Sequence, residues 1–439
     1  MKIPEKIKDY MEKLNEAGFE AYIVGGACRD YFLGTEPVDY DIFTNAPGEK
    51  LLEIFPKGKV IGGEERQKKI LTVVVDGTEI SQFRESGDRT KTGNDLYTHQ
   101  STCDFTINSI ACDRKGKFID PFGGIKDINK KIIRAVGNPI DRINEDKLRI
   151  LRAIRFSSKY NLKIGKWLSE IIKTTSLKNI PSERIKEELL KIIIYPSSIK
   201  NLLEYGILLQ IIPDFGILLP LSGGEHHGEN VGEHSIIAHK KAIELTNNPL
   251  LILACLLHDI GKSRTSEIRN GKRIFHNHDK IGAEITRNLL KRLKFANIEI
   301  EYISFLVEKH MFGYTQDIKN KTYIKFLNQL KEKQIAIEDF IILLYCDNQA
   351  NKARPRIKFG DFLKNNPIYK KYIELLSKKT PFGVRNLEIN GNDLIEIGIE
   401  QGPEVGKTLN LLLNEVQEGK IANIRGELIR RVKKIVVVS

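Results

Sequence analysis

An apolar run, Tyr22-Ile23-Val24, breaks into Gly25-Gly26 and then into Ala27-Cys28-Arg29-Asp30, with Asp39-Tyr40-Asp41 following closely. Few backbones satisfy that order: a buried strand, a glycine turn, and a helix start that packs back on the strand. Side chains two apart on a strand share a face, so a strand over 38–43 aims Asp39 and Asp41 together at one divalent ion. A carboxylate pair beside a turn that tolerates phosphate is the minimum equipment for metal-assisted nucleotidyl transfer. Alone, Asp-x-Asp is a weak signal, because such pairs are more often plain features of an exposed strand or loop.

The surrounding periodicity extends this start into a mixed α/β head of about 125 residues. Strands are expected over 21–24, 38–43, 70–75 and 79–83, with short helices beginning near Gly26 and Thr44. If the last two strands are neighbours of the first pair, Glu79 completes a three-carboxylate cluster with Asp39 and Asp41, the set a two-metal site usually needs. Residues 87–94 lack apolar periodicity and read as a mobile loop.

Beyond Asp127 the strand signals nearly stop. Residues 143–159 carry apolar positions at 148, 151, 154 and 156 with basic residues between, an amphipathic helix pattern. Another helix is expected over 183–195, with Ser182 as its N-cap. A Gly/His-rich loop at 221–228 leads into a histidine-rich helical region, and a Pro/Lys-rich break at 353–366 precedes a last helical segment. The expected division is a head over 1–125, a basic helical neck over 126–215, a histidine-rich body over 222–352 and a tail over 360–439. The 439 residues exceed one ordinary core.

Between residues 126 and 173 there are 13 Lys/Arg against 5 Asp/Glu, within a chain of net charge +13. Next to a nucleotide site such a surplus suggests a polyanionic partner, although a solvated helix face has the same composition. The five cysteines are scattered, odd in number and never paired as Cys-x-x-Cys, which fits small buried thiols in a reducing cytoplasm. No apolar run reaches membrane-spanning length, and the first residues read as an amphipathic helix ending near Gly18 rather than a signal peptide.

Asp146 and Arg149 lie three apart and would share a helix face. One offers acceptors and the other a rigid fork of donors, a combination able to mimic a Watson–Crick partner for a base. The plain alternative is a salt bridge on a solvated helix. Arg152 and Arg155 continue the basic face toward a triphosphate or an RNA backbone.

Four motifs occur in one order: Gly25-Gly26-Ala27-Cys28-Arg29-Asp30 with Asp39-x-Asp41; Asp104-Phe105-Thr106-Ile107-Asn108; Glu145-Asp146-x-x-Arg149-x-x-Arg152-x-x-Arg155; and Glu183-Arg184-Ile185-Lys186-Glu187-Glu188-Leu189. Together they resemble the class II tRNA nucleotidyltransferases, the CCA-adding enzymes and their bacterial poly(A) polymerase relatives. The resemblance implies a nucleotidyltransferase-type mixed sheet followed by all-α neck, body and tail. It implies template-independent addition of C and A from CTP and ATP to the 3′ end of tRNA, with Mg²⁺ held by Asp39, Asp41 and Glu79. On the same ground Gly25, Gly26, Arg29, Asp104, Asn108, Asp146, Arg149, Arg152 and Arg155 are the expected nucleotide-binding residues. One departure stands out. Where the family carries two arginines just before Asp-Phe-Thr, implicated in holding the nucleotide's sugar and phosphates, this chain has Thr102-Cys103. Arg84, Arg89 and His99 are the nearby candidates to substitute. The segment between Arg84 and Asp104 is also shorter than the CCA-adding pattern, a shortening that accompanies CC-only enzymes in the family.

Most of the histidines fall between 226 and 310. His234, the His258-Asp259-Ile260-Gly261-Lys262 motif and Asp347 resemble the ligand order of the HD phosphohydrolase superfamily. That resemblance implies a divalent transition metal on His234, His258, Asp259 and Asp347, with His278 and His310 serving phosphate or a second ion. Three other readings stand beside CCA addition: CC-only addition, poly(A) synthesis, and an HD phosphohydrolase whose head is inactive.

Overall fold

The computed structural model describes residues 1–61, 72–85, 92–223, 229–313, 318–378 and 380–436. They form two compact units, Met1–Pro213 and Asp214–Ser439.

In the first unit, helix α1 (Glu5–Glu16) buries Ile7, Tyr10, Met11 and Leu14, one stripe of its surface. Then follow β1 (Ala21–Val24), α2 (Gly26–Phe32), β2 (Ile42–Thr44), α3 (Gly48–Ile54), β3 (Lys59–Ile61), β4 (Thr72–Val75), β5 (Thr78–Gln82), α4 (Leu96–Ser101), β6 (Ala111–Cys112) and β7 (Phe118–Ile119). The strands make a seven-stranded sheet in the order β3-β4-β5-β2-β1-β6-β7. Only the β2–β5 pair is parallel, so the sheet is mixed as expected. Val24, Phe83, Leu96 and Ala111 form an apolar cluster on it.

The strand expected over 38–43 is shorter and later, starting at Ile42. Pro37 has no N–H to give a ladder and Val38 is 87% exposed, so nothing holds that stretch to a partner. The last rung from β1 is the Val24 N–H to the Asp41 carbonyl at 3.3 Å. Asp39 and Asp41 therefore lie on the approach to the strand, and strand alternation is not what aligns them. Of the expected strand at 70–75, residues 70 and 71 lie outside the described residues, as do 87–91 of the expected loop.

The remainder of this unit is helical: α5 (Gly124–Asn129), α6 (Pro139–Glu145), α7 (Arg149–Tyr160), α8 (Lys166–Thr174), α9 (Ser182–Ile193), α10 (Ser198–Glu204) and α11 (Ile207–Ile211), with the short parallel pair β8 (Ile132–Ile133) and β9 (Lys163–Ile164). The single helix expected over 143–159 is two helices. Asp146 is extended (φ −153°, ψ 100°), and its carboxylate accepts the Leu148 N–H at 3.1 Å, a local bond that competes with helix continuation. Past the break, α7 buries Ile150, Leu151, Ala153, Ile154 and Phe156; each of the larger ones contributes roughly 1.5–3 kcal/mol. Ser182 does not cap α9: it is the first helical residue, behind Pro181.

The second unit contains α12 (Phe215–Leu218), α13 (Val231–Ile243), α14 (Pro249–Leu257), α15 (Lys262–Thr265), the hairpin β10 (Ser266–Arg269) and β11 (Lys272–Phe275), α16 (His278–Arg292), α17 (Asn297–Lys309), α18 (Asn320–Glu332) and α19 (Ile337–Ala350). Then come α20 (Phe359–Asn365), α21 (Pro367–Ser377), α22 (Gly391–Glu396), α23 (Pro403–Gln417) and α24 (Arg425–Val436). Helix α20 occupies the stretch read as a break, since Pro355 lies before it and Pro367 starts the next helix rather than interrupting one. Leu394, Leu412, Leu428 and Val432 are fully buried at the centre of the C-terminal core. Among the described residues no helix is long and apolar enough to cross a membrane.

Candidate functional site

A cleft of about 240 Å³ opens in the first unit where β1 hands over to α2. The handover requires glycine: Gly25 has φ 93°, and its N–H reaches the Ile110 carbonyl at 3.1 Å. Gly25, Gly26, Arg29 and Asp41 line the cleft from this side. Asp104 and Asn108 line it from the Asp-Phe-Thr segment, and Asp146, Arg149 and Arg152 from the helical break and α7. Asp39, Glu79 and Arg155 are not part of the lining. Asp39 and Glu79 are exposed, and Arg155 pairs with Glu188 of α9 at 2.8 Å.

The polar groups form one chain of contacts. Arg152 binds Asp104 at 2.7 Å, Asn108 donates to Asp104 at 2.8 Å, and Arg29 donates to Asn108 at 2.7 Å. Arg29 also pairs with Asp30 at 2.8 Å and lies over both the Phe156 and Tyr160 rings, 5.1 and 4.9 Å from their centres; the Tyr160 hydroxyl donates to Asp30 at 2.8 Å. Burial would raise the Asp104 carboxyl, but Arg152 and Asn108 outweigh it and hold it below the usual carboxylate value. These contacts tie α2, the Asp-Phe-Thr segment and α7 into one frame.

Asp146 and Arg149 both face the cleft, yet each has another partner. Arg184 of α9 takes both Asp146 oxygens, at 2.7 and 3.2 Å. Arg149 donates to Glu145 and to the Arg142 carbonyl, both at 2.6 Å. Arg184, Glu188 and Tyr160 were not among the residues picked out from sequence. For the first two the signal was present in the Glu183–Leu189 motif, which is charged where a plain helix has no need to be.

Glu79 lies beside Asp41: β2 and β5 pair Ile42 with Ile80, and the two acids immediately precede that pair. The Asp41 carboxyl is pushed up to about 6, by burial first and then by the charges of Glu79 and Asp39. The charges of Asp39, Asp41 and Glu79 repel one another, a repulsion that a hard divalent cation would relieve.

The second unit contains two adjacent clusters, His234/His258/Asp347 and Asp259/His278/His310. Asp259 joins them. Its Oδ2 is 3.4 Å from His258 Nε2 and 4.0 Å from His234 Nε2, while its Oδ1 is 3.5 Å from His278 Nε2 and 3.7 Å from His310 Nε2. Asp347 Oδ1 is 3.0 Å from His234 Nε2 and 3.6 Å from His258 Nε2. The sequence grouping of His234, His258, Asp259 and Asp347 is thus brought together, with His278 and His310 as close to Asp259 as the rest.

Three of these imidazoles are set the same way. His258, His278 and His310 face, through Nδ1, the carbonyls of Cys255, Phe275 and Val307 at 2.9, 2.8 and 2.7 Å, which leaves each Nε2 aimed at the centre. His258 Nε2 is buried and makes no hydrogen bond among the described residues. His278 Nε2 and His310 Nε2 stand 3.1 Å apart, a contact of two lone pairs unless a proton or a cation lies between them. Burial alone would lower the His258 pKa, but Asp259 and Asp347 raise it to about 10. His310 is pushed down to about 4 by burial and by the charge of His258. This donor set of imidazoles and carboxylates fits a first-row divalent metal. Glu229, missed in the sequence, orients His234 through Nδ1 at 3.0 Å, and Lys262 pairs with Asp259 at 2.7 Å.

Residues 21–134 match the poly A polymerase head domain, 170–218 the probable RNA and SrmB-binding site of polymerase A, and 231–346 the HD domain. A CCA-adding enzyme of Ligilactobacillus salivarius is 31% identical over 456 residues, covering 99% of this chain and 98% of its own. An A-adding tRNA nucleotidyltransferase of Deinococcus radiodurans is 26% identical, covering 91% of this chain and 92% of its own. In fold, the chain resembles the crystal structure of Bacillus stearothermophilus CCA-adding enzyme in complex with CTP, with a TM-score of 0.67 and 24% identity over 100% of this chain and 99% of that one. The end-to-end identity to the L. salivarius protein, with head, RNA-binding and HD segments in sequence, decides the matter: the chain belongs to the CCA-adding enzyme family of class II tRNA nucleotidyltransferases.

Proposed function

We propose that the chain adds C and A from CTP and ATP to the 3′ end of tRNA. The observation that carries this is the 31% identity to a CCA-adding enzyme along 99% of the chain. Its geometry supports the reading, because the glycine turn, Asp41, the Asp-Phe-Thr segment and the Asp146/Arg149 pair share one cleft.

Asp39, Asp41 and Glu79 would hold Mg²⁺ in this reading, and the bound metal would supply activation of the 3′-hydroxyl and charge neutralisation at the phosphoryl group and pyrophosphate. The Gly25-Gly26 turn lets backbone approach the triphosphate. Asp146 and Arg149 present acceptor and donor edges to the incoming base and so select it without a template. Arg152, Asp104, Asn108 and Arg29 keep α7 in register with the turn. The basic neck binds RNA backbone by charge and not by sequence. The boundaries we assign are a head over 1–125, neck over 126–215, HD body over 222–352 and tail over 360–439, supported by the three matched segments. Five free cysteines support a cytoplasmic setting.

In the HD body, His234, His258, Asp259 and Asp347 would hold a divalent transition metal, with His278 and His310 placed for phosphate or a second ion. This arrangement supports an additional phosphohydrolase activity.

The test supplies purified protein and Mg²⁺ with tRNA lacking its 3′ CCA, plus CTP, ATP or both. Two cytidines are expected with CTP alone and a terminal adenosine only with both, and Asp39→Ala with Asp41→Ala abolishes incorporation. Cytidines without the adenosine would mean a CC-adding enzyme. Adenosine runs with no cytidine step would mean a poly(A) polymerase. No incorporation, alongside metal-dependent phosphate release lost in Asp259→Ala, would leave a phosphohydrolase with an inactive head.

A further inference from the structure

We propose that the corner where β8, β9 and α8 meet is a docking surface for an RNA strand of the tRNA substrate, with Trp167 as the platform on which a nucleotide stacks; this rests on the transferase reading above. Trp167 is the one tryptophan of the chain, and it stands 58% exposed at the second residue of α8. A single exposed ring is ordinary on a protein surface, but this one stands among cations. Lys163, Lys166 and Lys173 flank it in the chain and are all exposed. Lys131, also exposed, is brought in by the short parallel pair, where its carbonyl accepts the Lys163 N–H at 2.9 Å. None of these four ammonium groups pairs with a carboxylate among the described residues. The arginines of α7 differ: Arg149, Arg152 and Arg155 are paired with Glu145, Asp104 and Glu188. The unneutralised charge of the neck therefore includes this corner, and α7 is not its source.

The backbone that presents Trp167 is fixed. Gly165 donates its N–H to the Ile133 carbonyl at 2.9 Å, so close to β8 that a Cβ on it would lie 3.2 Å from the same oxygen. The opposite face of α8 buries Leu168, Ser169 and Ile172. An indole held this way loses little freedom when a base stacks on it. Lysines that meet phosphates beside an aromatic face that meets bases are the working parts of a single-stranded nucleic acid site, tolerant of sequence. The place suits that partner too. Helix α8 packs on α6, which ends at Asp146 in the cleft, so an RNA with its 3′ end in the cleft is within reach of this corner. The segment matched to the RNA-binding model begins at residue 170, inside the same helix, and leaves Trp167, Lys166, Lys163 and Lys131 outside it.

Because the chain has no other tryptophan, its indole emission reports this position alone. Adding tRNA that lacks its 3′ CCA to the full chain is expected to quench that emission to saturation, over the concentrations at which filter binding shows the complex forming; CTP leaves it unchanged. Trp167→Leu is expected to raise the tRNA dissociation constant about 5- to 100-fold, the range for losing one stacked base, without moving KM for CTP. Trp167→Phe keeps a ring and stays within a few-fold of the parent. Lys163→Ala with Lys166→Ala lowers the slope of log affinity against log salt by about 1–2, as the counterions of those phosphate contacts are no longer released. Emission unmoved by saturating tRNA overturns the proposal, as does a Trp167→Leu dissociation constant within twofold of the parent or a parental salt slope in the lysine variant. Equal quenching by an acidic peptide of matched charge would make the corner a protein-binding surface instead. If the parent binds tRNA but transfers no cytidine, the transferase reading fails while the same titration still decides the role of Trp167.

Discussion

Arg184 grips Asp146 with both branches of its guanidinium, at 2.7 and 3.2 Å, from a helix far along the chain. Asp146 sits in a break between two helices, so its carboxylate has no regular backbone to aim it. Burial would raise its pKa, yet the Arg184 hydrogen bonds and the Leu148 N–H hold it low, keeping it an acceptor at neutral pH.

Arg184→Ala should therefore damage choice of base more than transfer itself. The pair is partly exposed, and the loss of one positioning fork is expected to reduce the kcat/KM preference for CTP over UTP by about tenfold. Arg184→Lys restores the charge but not the fork and recovers only part of it. Competition between labelled CTP and UTP on tRNA lacking CCA reads this out; an unchanged ratio in Arg184→Ala means that Asp146 is aimed by something else.

Asp41 links proton and metal binding. Its folded-state pKa of about 6 exceeds the usual 3.8. The sign is that of an acid whose charged form is disfavoured: the fold gains stability from it below about pH 3.8 and loses that as pH rises through 6. Mg²⁺ must displace the proton, so the Mg²⁺ concentration giving half-maximal incorporation should climb about tenfold per unit below pH 6 and stay flat above 7. Asp41→Asn removes the repulsion, and at pH 7.5 without metal it should melt about 2–5 °C higher while transferring nothing. A lower melting temperature would mean that the Asp41 charge stabilises the fold.

The HD cluster couples metal and protons in the same direction. In the metal-free protein Asp259 and Asp347, working against burial, hold His258 protonated up to about pH 10. That contribution to stability is complete below the unfolded histidine value near 6.5 and is lost as pH rises through 10. Adding Mn²⁺ at pH 7.5 is thus expected to release about one proton from His258, measured by calorimetry in buffers of different ionisation enthalpy. Heat independent of the buffer would show that His258 is already neutral.

The order of β1, the glycine turn and α2 was legible because each step depends on its own residues: an apolar run, then two glycines, then a helix start. The HD ligands were legible for a similar reason, since four of them carry chemistry that a core does not need. What escaped depends on which partner a side chain takes, near or far. The break at Asp146 follows from a side chain choosing the Leu148 N–H, and nothing in the 143–159 periodicity marks it. The short start of β2 follows from β1 ending at its turn. The β10–β11 hairpin is different, because Asn270-Gly271, with φ 51° and 75°, is a readable turn signal that the helical context around it obscured. The pairing of His278 and His310 with Asp259 needed the tertiary fold.

That tertiary fold rests on a glycine contact, and one methyl group tests it. A Cβ on Gly261 would lie 2.0 Å from the His278 carbonyl oxygen and 2.5 Å from the Gly282 nitrogen, both backbone atoms of α16. Gly261 follows Asp259 by two residues, so its bare Cα lets α16 carry His278 to within 3.5 Å of that carboxylate. Gly261→Ala must push the helix away, and overpacking of this kind costs about 1–3 kcal/mol. The displaced ligands are His278 and Asp259, whereas His234, His258 and Asp347 sit on α13, at the end of α14 and on α19, clear of the clash. The expected variant is folded but less stable, retains one equivalent of Mn²⁺ by elemental analysis where the parent holds two, and adds cytidine to tRNA at the parental rate. Gly406→Ala, whose Cβ meets nothing within 4 Å, is the control and should match the parent in metal content. Two full equivalents bound to Gly261→Ala would show that the close approach of α16 does not assemble the second half of the centre.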